Sequence, residues 1–166
     1  MGVYKNWWKL DPWFTLRLIL HAWHPNSPLS HPVLTRRAFF GDAFPLSAVI
    51  PFQRRTNRYE SYLWPFSMMR PFASASSILE HVDSQAAARV LVMAGSQDKL
   101  MTPEITQETA AFYRKAVATA RDSDDAGHDA VRMEIVEGAG HHLQNDVQWE
   151  DGAAKLLGFY RSVTGD

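Results

Sequence analysis

The spacing of apolar positions predicts four secondary-structure elements in the carboxy-terminal half of the chain. These are a strand over 89–94, a helix over 103–120, a strand over 131–136 and a helix over 147–163. The first strand is a continuous apolar run closed by Gly95, which is typical of a strand buried on both faces of a parallel sheet. Pro103 suits the first turn of the first helix. The order strand–helix–strand–helix predicts an α/β fold with a parallel sheet.

The amino-terminal half predicts helices that are interrupted by prolines. Apolar spacing favours helices over 12–24 and 33–40, and Pro45 is placed to open a third over 46–61. Pro51 must kink or split that third helix, because it lacks an N–H and clashes with the preceding turn. Fifteen of the twenty aromatic residues lie before residue 73. This half is therefore interpreted as a helical, aromatic segment.

Composition and charge support one globular unit with two dissimilar parts. The 166 residues are 46% hydrophobic and 21% charged. The chain has no cysteine, which excludes disulfides, thiolate zinc sites and cysteine nucleophiles. A net charge of −1 argues against nucleic acid as the partner. Residues 1–72 carry nine basic and three acidic residues, and 73–166 carry eight and fifteen. The chain therefore has two parts with different structural roles, and the resemblance given below implies the bounds 1–82 and 83–166.

The sequence contains no segment that predicts secretion or a membrane span. The first residues are polar and aromatic and lack the apolar core of a signal peptide. The longest apolar run, near Trp13–Trp23, is interrupted by Arg17 and is too short to cross a bilayer. The expectation is a cytoplasmic protein without a membrane span.

An acid and a histidine follow the two predicted strands. The first strand runs into Gly95-Ser96-Gln97-Asp98, and the second runs into Gly138-Ala139-Gly140-His141. The carboxyl ends of parallel strands meet at one edge of a sheet, where ligands bind in open α/β folds. A carboxylate beside an imidazole can orient it as a general base. The sequence therefore predicts Asp98 and His141 as catalytic residues.

At these motifs the chain resembles the α/β-hydrolase family. A buried strand followed by G-x-x-D, then a helix, a strand and G-x-G-H, is similar to the acid and histidine segment of that family, with the acid before the histidine. The resemblance covers about residues 88–163. It implies a triad acid at Asp98 and a triad base at His141. It also implies that residues 1–82 form a helical lid before a partial α/β-hydrolase sheet.

The nucleophile motif of the family is missing from these residues. The family carries its serine in G-x-S-x-G, and only Gly2 and Gly41 precede Gly95 here. We therefore expect a truncated or partial hydrolase related to ester and acyl hydrolases, without hydrolysis by the lone chain. Two alternatives stay open. One is a protein that binds a hydrophobic natural-product-type ligand, or performs acid–base chemistry on it as an isomerase or cyclase does. The other is a subunit whose sheet is completed by a partner chain.

The sequence also gives expectations for partners, cofactors and the remaining polar and aromatic residues. The exposed sheet edge favours a homo-oligomer or a partner chain, and the expected substrate is small and hydrophobic. The resemblance implies no cofactor. The spacing of His21, His24 and His31 suggests a metal cluster, but Pro25 breaks the helix and no metal is predicted. His142 is assigned to packing or to solvent contact, and Ser96 is assigned to a turn. Asp146 and Glu150 are assigned to caps and solvated charges on the last helix. The aromatic residues before residue 73 are assigned to packing within the lid, or to an apolar pocket wall.

Overall fold

The computed structural model of the chain describes residues 31–56, 90–121 and 130–165. It also describes the isolated positions Asn6, Lys9, Pro12, Trp13, Leu16, Leu20, Ser74 and Ser77. The predicted helix over 12–24 therefore lies largely outside the described residues. His21 and His24 lie outside them altogether.

Two short helices make up the described part of the amino-terminal half. Helix α1 spans Pro32–Phe39 and helix α2 spans Leu46–Arg55, close to the predicted 33–40 and to the start of the predicted 46–61. His31 caps α1, since its Nδ1 accepts the backbone N–H of Val33 at 3.3 Å. The prediction placed the end of α2 too late, because the helix ends at Arg55. Thr56 turns away in an extended conformation, with its hydroxyl on the carbonyl of Gln53 at 2.7 Å.

Aromatic side chains hold α1 and α2 together. Phe40, Phe44 and Val49 form a buried cluster between the two helices, and the rings of Phe40 and Phe44 stack with centroids 3.8 Å apart. Gln53 Nε2 donates to Thr35 Oγ1 at 2.8 Å and links the helices at a second point. Pro51 lies inside α2, where its missing N–H leaves one helical hydrogen bond unmade.

The carboxy-terminal half is a mixed α/β arrangement around two parallel strands. Strand β1 spans Val90–Gly95 and pairs in parallel with strand β2, Val131–Val136. Helix α3, Pro103–Arg121, connects them, and helix α4, Trp149–Thr164, follows β2. The predicted strand–helix–strand–helix order is thus confirmed. Parallel strands require such a crossover, since a tight turn can only reverse the chain.

The two helices cover opposite faces of the sheet. Residues that pack between α3 and the sheet form a cluster made of Ala110, Tyr113, Val117, Val90, Val92, Ala130, Val131 and Met133. Side chains alternate along a strand, so Glu134 and Val136 face the other way, toward α4. There Lys155 Nζ lies 3.5 Å from Glu134 Oε2, and Gly152 packs next to Val136.

The sheet is less buried than the sequence predicted. Val90 to Met93 are only half-buried, whereas a strand covered on both faces was expected. The predicted apolar face of α4 is exposed, with Trp149 at 51% and Leu156 at 55%. Both departures have one cause, which is the width of the sheet. Among the described residues the sheet has only two strands, so it is too narrow to cover the apolar face of α4 or to bury β1 on both sides.

Candidate acid–histidine site

Two loops meet at the carboxyl edge of the sheet. The loop after β1, residues 96–100, is the acid loop, and the loop after β2, residues 137–146, is the histidine loop. Ser96 N donates to Val136 O at 3.0 Å, and Gln97 N donates to Ala139 O at 2.9 Å. A Cβ on Gly95 would lie 2.1 Å from Ala139 O, so glycine is required for this close approach. These hydrogen bonds and the close backbone approach hold the two loops next to each other.

The Asp98 carboxylate is buried and held in one orientation. Its Oδ1 accepts the backbone N–H groups of Leu100 and Met101, both at 2.8 Å. The side chain is 4% exposed. These two bonds are made within the acid loop, and they leave Oδ2 directed toward the histidine loop.

His141 completes the pair that the sequence predicted. Its Nδ1 lies 2.9 Å from Asp98 Oδ2, and its side chain is 34% exposed. A carboxylate only accepts hydrogen bonds, so a neutral His141 in this contact carries its proton on Nδ1. Within the described residues Nε2 has no hydrogen-bond partner. The structure therefore places the His141 ring against a fixed carboxylate through Nδ1 and leaves Nε2 without a contact from the described residues.

A small cavity of about 160 Å³ adjoins this pair. The residues that line it come from β1, the acid loop, α3 and the histidine loop: Val92, Met93, Ala94, Gly95, Asp98, Met101, Thr106, Thr109, His141 and Leu143. Four consecutive residues of β1 belong to this wall. Since side chains alternate between faces, a run of four indicates that the cavity lies along the edge of β1 that β2 does not occupy.

The segment between α1 and α2 reaches this site, which the sequence did not predict. Residues 39–42, which comprise the end of α1 and the three residues after it, contact both loops and are called the bridging turn. Phe39 O accepts from His142 N at 2.8 Å, and Gly41 N donates to Asp146 Oδ2 at 2.7 Å. The bridging turn contacts the acid loop as well, since Asp42 N donates to Gln97 Oε1 at 2.7 Å. Lys99 Nζ binds the Asp42 carboxylate at 2.8 Å and lowers the pKa of that carboxyl.

Asp146 has a different role from the one expected. We interpreted it as a cap or a solvated charge, but it is 2% exposed and accepts three backbone N–H groups. Ser96, expected to be a turn residue, receives a hydrogen bond from Gly138 N and bonds Glu137 Oε1, both at 2.9 Å. Glu150 is exposed. No local pattern marks Asp146, because Gly41 is 105 positions away in the sequence.

His142 packs among aromatic rings. Its ring centroid lies 5.0 Å from that of Phe52 and 6.0 Å from that of Phe40. Its Nδ1 is 2.9 Å from Asn145 Nδ2. Burial in this setting lowers the pKa of His142 below its ordinary value of 6.5, and His141 lowers it further, while Asp146 opposes the shift. A neutral His142 therefore helps to seat α1 and α2 on the histidine loop.

Stability should fall as the pH drops through the titration range of His142. Because its folded pKa is below the unfolded value, the unfolded state binds more protons there. The contribution of His142 is complete above about pH 6.5 and is lost progressively below it, with a slope of at most about 1.4 kcal/mol per pH unit. Chemical denaturation from about pH 8 to about pH 5 measures this slope. His142→Phe should show a shallower pH dependence than the wild type, and equal slopes would contradict the assignment.

No protein-family model, curated protein or solved structure matches the chain. In the part of the chain that the structure describes, no helix combines the length and apolarity needed to cross a membrane. Among the same residues, no group of three or more histidine and acidic side chains is placed to bind a metal ion. His31, the described member of the histidine trio, instead caps α1.

Proposed function

We propose that this chain carries the acid and the general base of an α/β-hydrolase-type enzyme that hydrolyses esters or other acyl compounds. The supporting observation is the 2.9 Å contact between His141 Nδ1 and Asp98 Oδ2. Two backbone N–H groups fix the other oxygen of Asp98, so the carboxylate is oriented before any substrate binds. This pre-organisation is what a base needs in order to take up a proton in a defined direction.

The roles of the two side chains follow from their surroundings. In the proposed reaction, Nε2 of His141 takes the proton of a serine hydroxyl as that oxygen attacks the acyl carbon. Asp98 stabilises the resulting imidazolium through Nδ1. His141 then returns the proton to the leaving oxygen, and the acyl group stays on the serine. In the second half, Nε2 takes a proton from water as the water oxygen attacks the acyl carbon, and the serine oxygen leaves and regains the proton, which releases the acid. The cavity beside the pair would hold part of the substrate. A pocket of about 150 Å³ accommodates a benzene-sized group, which favours a short acyl or small aryl portion at this position.

In this proposal the nucleophile belongs to a polypeptide segment outside the 166 residues. No G-x-S-x-G occurs in the sequence. The outer edge of β1 is a suitable place for such a segment, because no described strand pairs with it and the cavity runs along it. A strand added there would hydrogen-bond to β1 and bring its own carboxyl end next to Asp98 and His141. Helices α1 and α2 would serve as the lid, since the bridging turn contacts both loops.

A serine-directed probe tests this function. The tagged chain is expressed in its source cells and purified under native conditions. The purified protein is then treated with a fluorophosphonate, which labels activated serines. We expect label on a species that contains the peptides of this chain, together with hydrolysis of p-nitrophenyl butyrate. His141→Gln should remove both signals, because the serine loses its base. The intact mass of the labelled species identifies whether the serine lies on a longer chain or on a partner.

The matched control for this experiment is His31→Asn, which changes a histidine outside the site and keeps a side chain able to cap α1. It should retain labelling and hydrolysis. If no species containing these peptides is labelled, the hydrolase proposal is wrong.

A second candidate function is the binding of a small apolar ligand without hydrolysis. It is favoured by the apolar walls of the cavity, which include Val92, Met101 and Leu143. Saturable binding of p-nitrophenol that persists in His141→Gln, with no fluorophosphonate label on any species, would favour this candidate over the hydrolase.

A further inference from the structure

Asp146 is a buried carboxylate that the reaction proposed above does not use. We propose that Asp146 is a positioning residue: it holds His141 opposite Asp98, and it makes that geometry depend on the seating of helices α1 and α2. The inference rests on the proposed function, because the group being positioned is the proposed general base.

The carboxylate of Asp146 fastens two other points of the backbone to its own segment. Its Oδ2 accepts the N–H of Gly140 and the N–H of Gly41, both at 2.7 Å. Its Oδ1 accepts the N–H of Val147 at 2.7 Å. The residue is 2% exposed, so these donors replace water around the carboxylate. Short hydrogen bonds to a charged acceptor are about twice as strong as neutral ones.

The bond to Gly140 controls where His141 sits, because Gly140 directly precedes it. Asp98 is already fixed by bonds within its own loop, so the histidine loop is the part of the pair that can move. The His141 contact is 2.9 Å long. A displacement of about 1 Å would take it beyond hydrogen-bonding distance. The Gly140 anchor on Asp146 opposes that displacement.

The bond to Gly41 links this geometry to the two amino-terminal helices. Gly41 and Gly140 share one oxygen of Asp146, so the bridging turn and the histidine loop are fastened at the same point. The turn is also fastened to the acid loop, through Asp42 N and Gln97 Oε1. Detaching α1 and α2 would therefore remove one of the two donors on Oδ2 and loosen the contact between the two loops.

Proton NMR of the 166-residue chain tests the positioning role without requiring enzymatic activity. The Nδ1 proton of His141, bonded to a buried carboxylate, should give a downfield resonance that is absent from His141→Gln. Asp146→Ala, which removes the acceptor of both Gly41 N and Gly140 N, should abolish this resonance while the chain stays folded by circular dichroism. Asp151→Asn, which changes an exposed aspartate on α4, should leave it in place. In the hydrolase, Asp146→Ala should lower kcat by about 10²-fold with little change in KM.

Hydrogen exchange of the wild-type chain provides a second measurement that needs no variant. The amides of Gly41 and Gly140 should be protected and should open together, with equal exchange free energies under native conditions. A freely exchanging Gly41 beside a protected Gly140 would overturn the link to α1 and α2. An unchanged downfield resonance in Asp146→Ala, or none in the wild type, would overturn the positioning role. If the resonance and the exchange data agree with the expectation but fluorophosphonate labelling fails, the hydrolase proposal is wrong and the positioning role of Asp146 stands.

Discussion

Gly140→Ala is expected to unseat the bridging turn from the histidine loop and to lower the free energy of unfolding by about 3 kcal/mol, the upper end of the range for overpacking. A Cβ at this position would lie 2.3 Å from the carbonyl carbon of Phe40, 2.6 Å from its Cα and 2.7 Å from the nitrogen of Gly41. All three are backbone atoms, which cannot rotate aside as a flexible side chain can. The added methyl group must therefore push the two segments apart.

The separation has consequences beyond the clash itself. Gly41 N and Gly140 N share one oxygen of Asp146, so at least one of these bonds must lengthen. A buried N–H that loses its acceptor costs a further 1–3 kcal/mol, roughly, which makes the estimate above a conservative one. Urea denaturation of the variant and the wild type, followed by near-ultraviolet circular dichroism, measures the change.

Gly158→Ala is the matched control for this substitution. Gly158 lies in the middle of α4, and a Cβ there would meet nothing within 4 Å. Alanine is favoured over glycine inside a helix by about 0.5–1 kcal/mol, so this change should stabilise the protein. Opposite signs for the two glycine-to-alanine changes are the expected pattern. A loss below about 0.5 kcal/mol in Gly140→Ala would mean that the turn and the loop are not packed as described.

The parts of the fold that local patterns encode were predictable from the sequence. The apolar run before Gly95 and the alternation before Gly138 predict β1 and β2 within a residue, because the period of side-chain exposure differs between strands and helices. Asp98 and His141 could be paired because parallel strands end at the same edge. That topology brings the two loops together, and the structure shows the resulting contact of 2.9 Å between His141 Nδ1 and Asp98 Oδ2.

The parts that depend on distant contacts were not predictable. Asp146 precedes a helix, so a local reading assigns it to capping, whereas its position is decided by Gly41 far along the chain. The exposure of α4 and β1 was not predictable either. An apolar residue favours burial, but the local sequence does not determine how many neighbouring strands are present to bury it. Gly41 and Gly140 offered a signal: each lies in a loop and allows a close backbone approach.

Asp98→Asn should cause a large loss of activity without disturbing the fold of the acid loop. The amide keeps one oxygen, which can still accept from Leu100 N and Met101 N, so the acid loop retains its conformation. The amide nitrogen then faces His141 Nδ1 in place of a carboxylate oxygen. Since that nitrogen is a donor, a neutral His141 must carry its proton on Nε2 instead. An imidazole in this tautomer cannot take a proton from serine, and the kcat of the proposed hydrolase should fall by about 10⁴-fold.

Three comparisons separate this chemical effect from a loss of fold. Asp98→Ala removes the acceptor from the buried Leu100 N–H, so it should lower the free energy of unfolding by about 1–3 kcal/mol in addition to the activity. Asp98→Asn should change stability much less, because the same acceptor remains. Asp151→Asn should leave kcat for p-nitrophenyl butyrate unchanged. If Asp98→Asn reduces kcat by less than about tenfold, then Asp98 does not set the tautomer of His141, and the base would have to act without it.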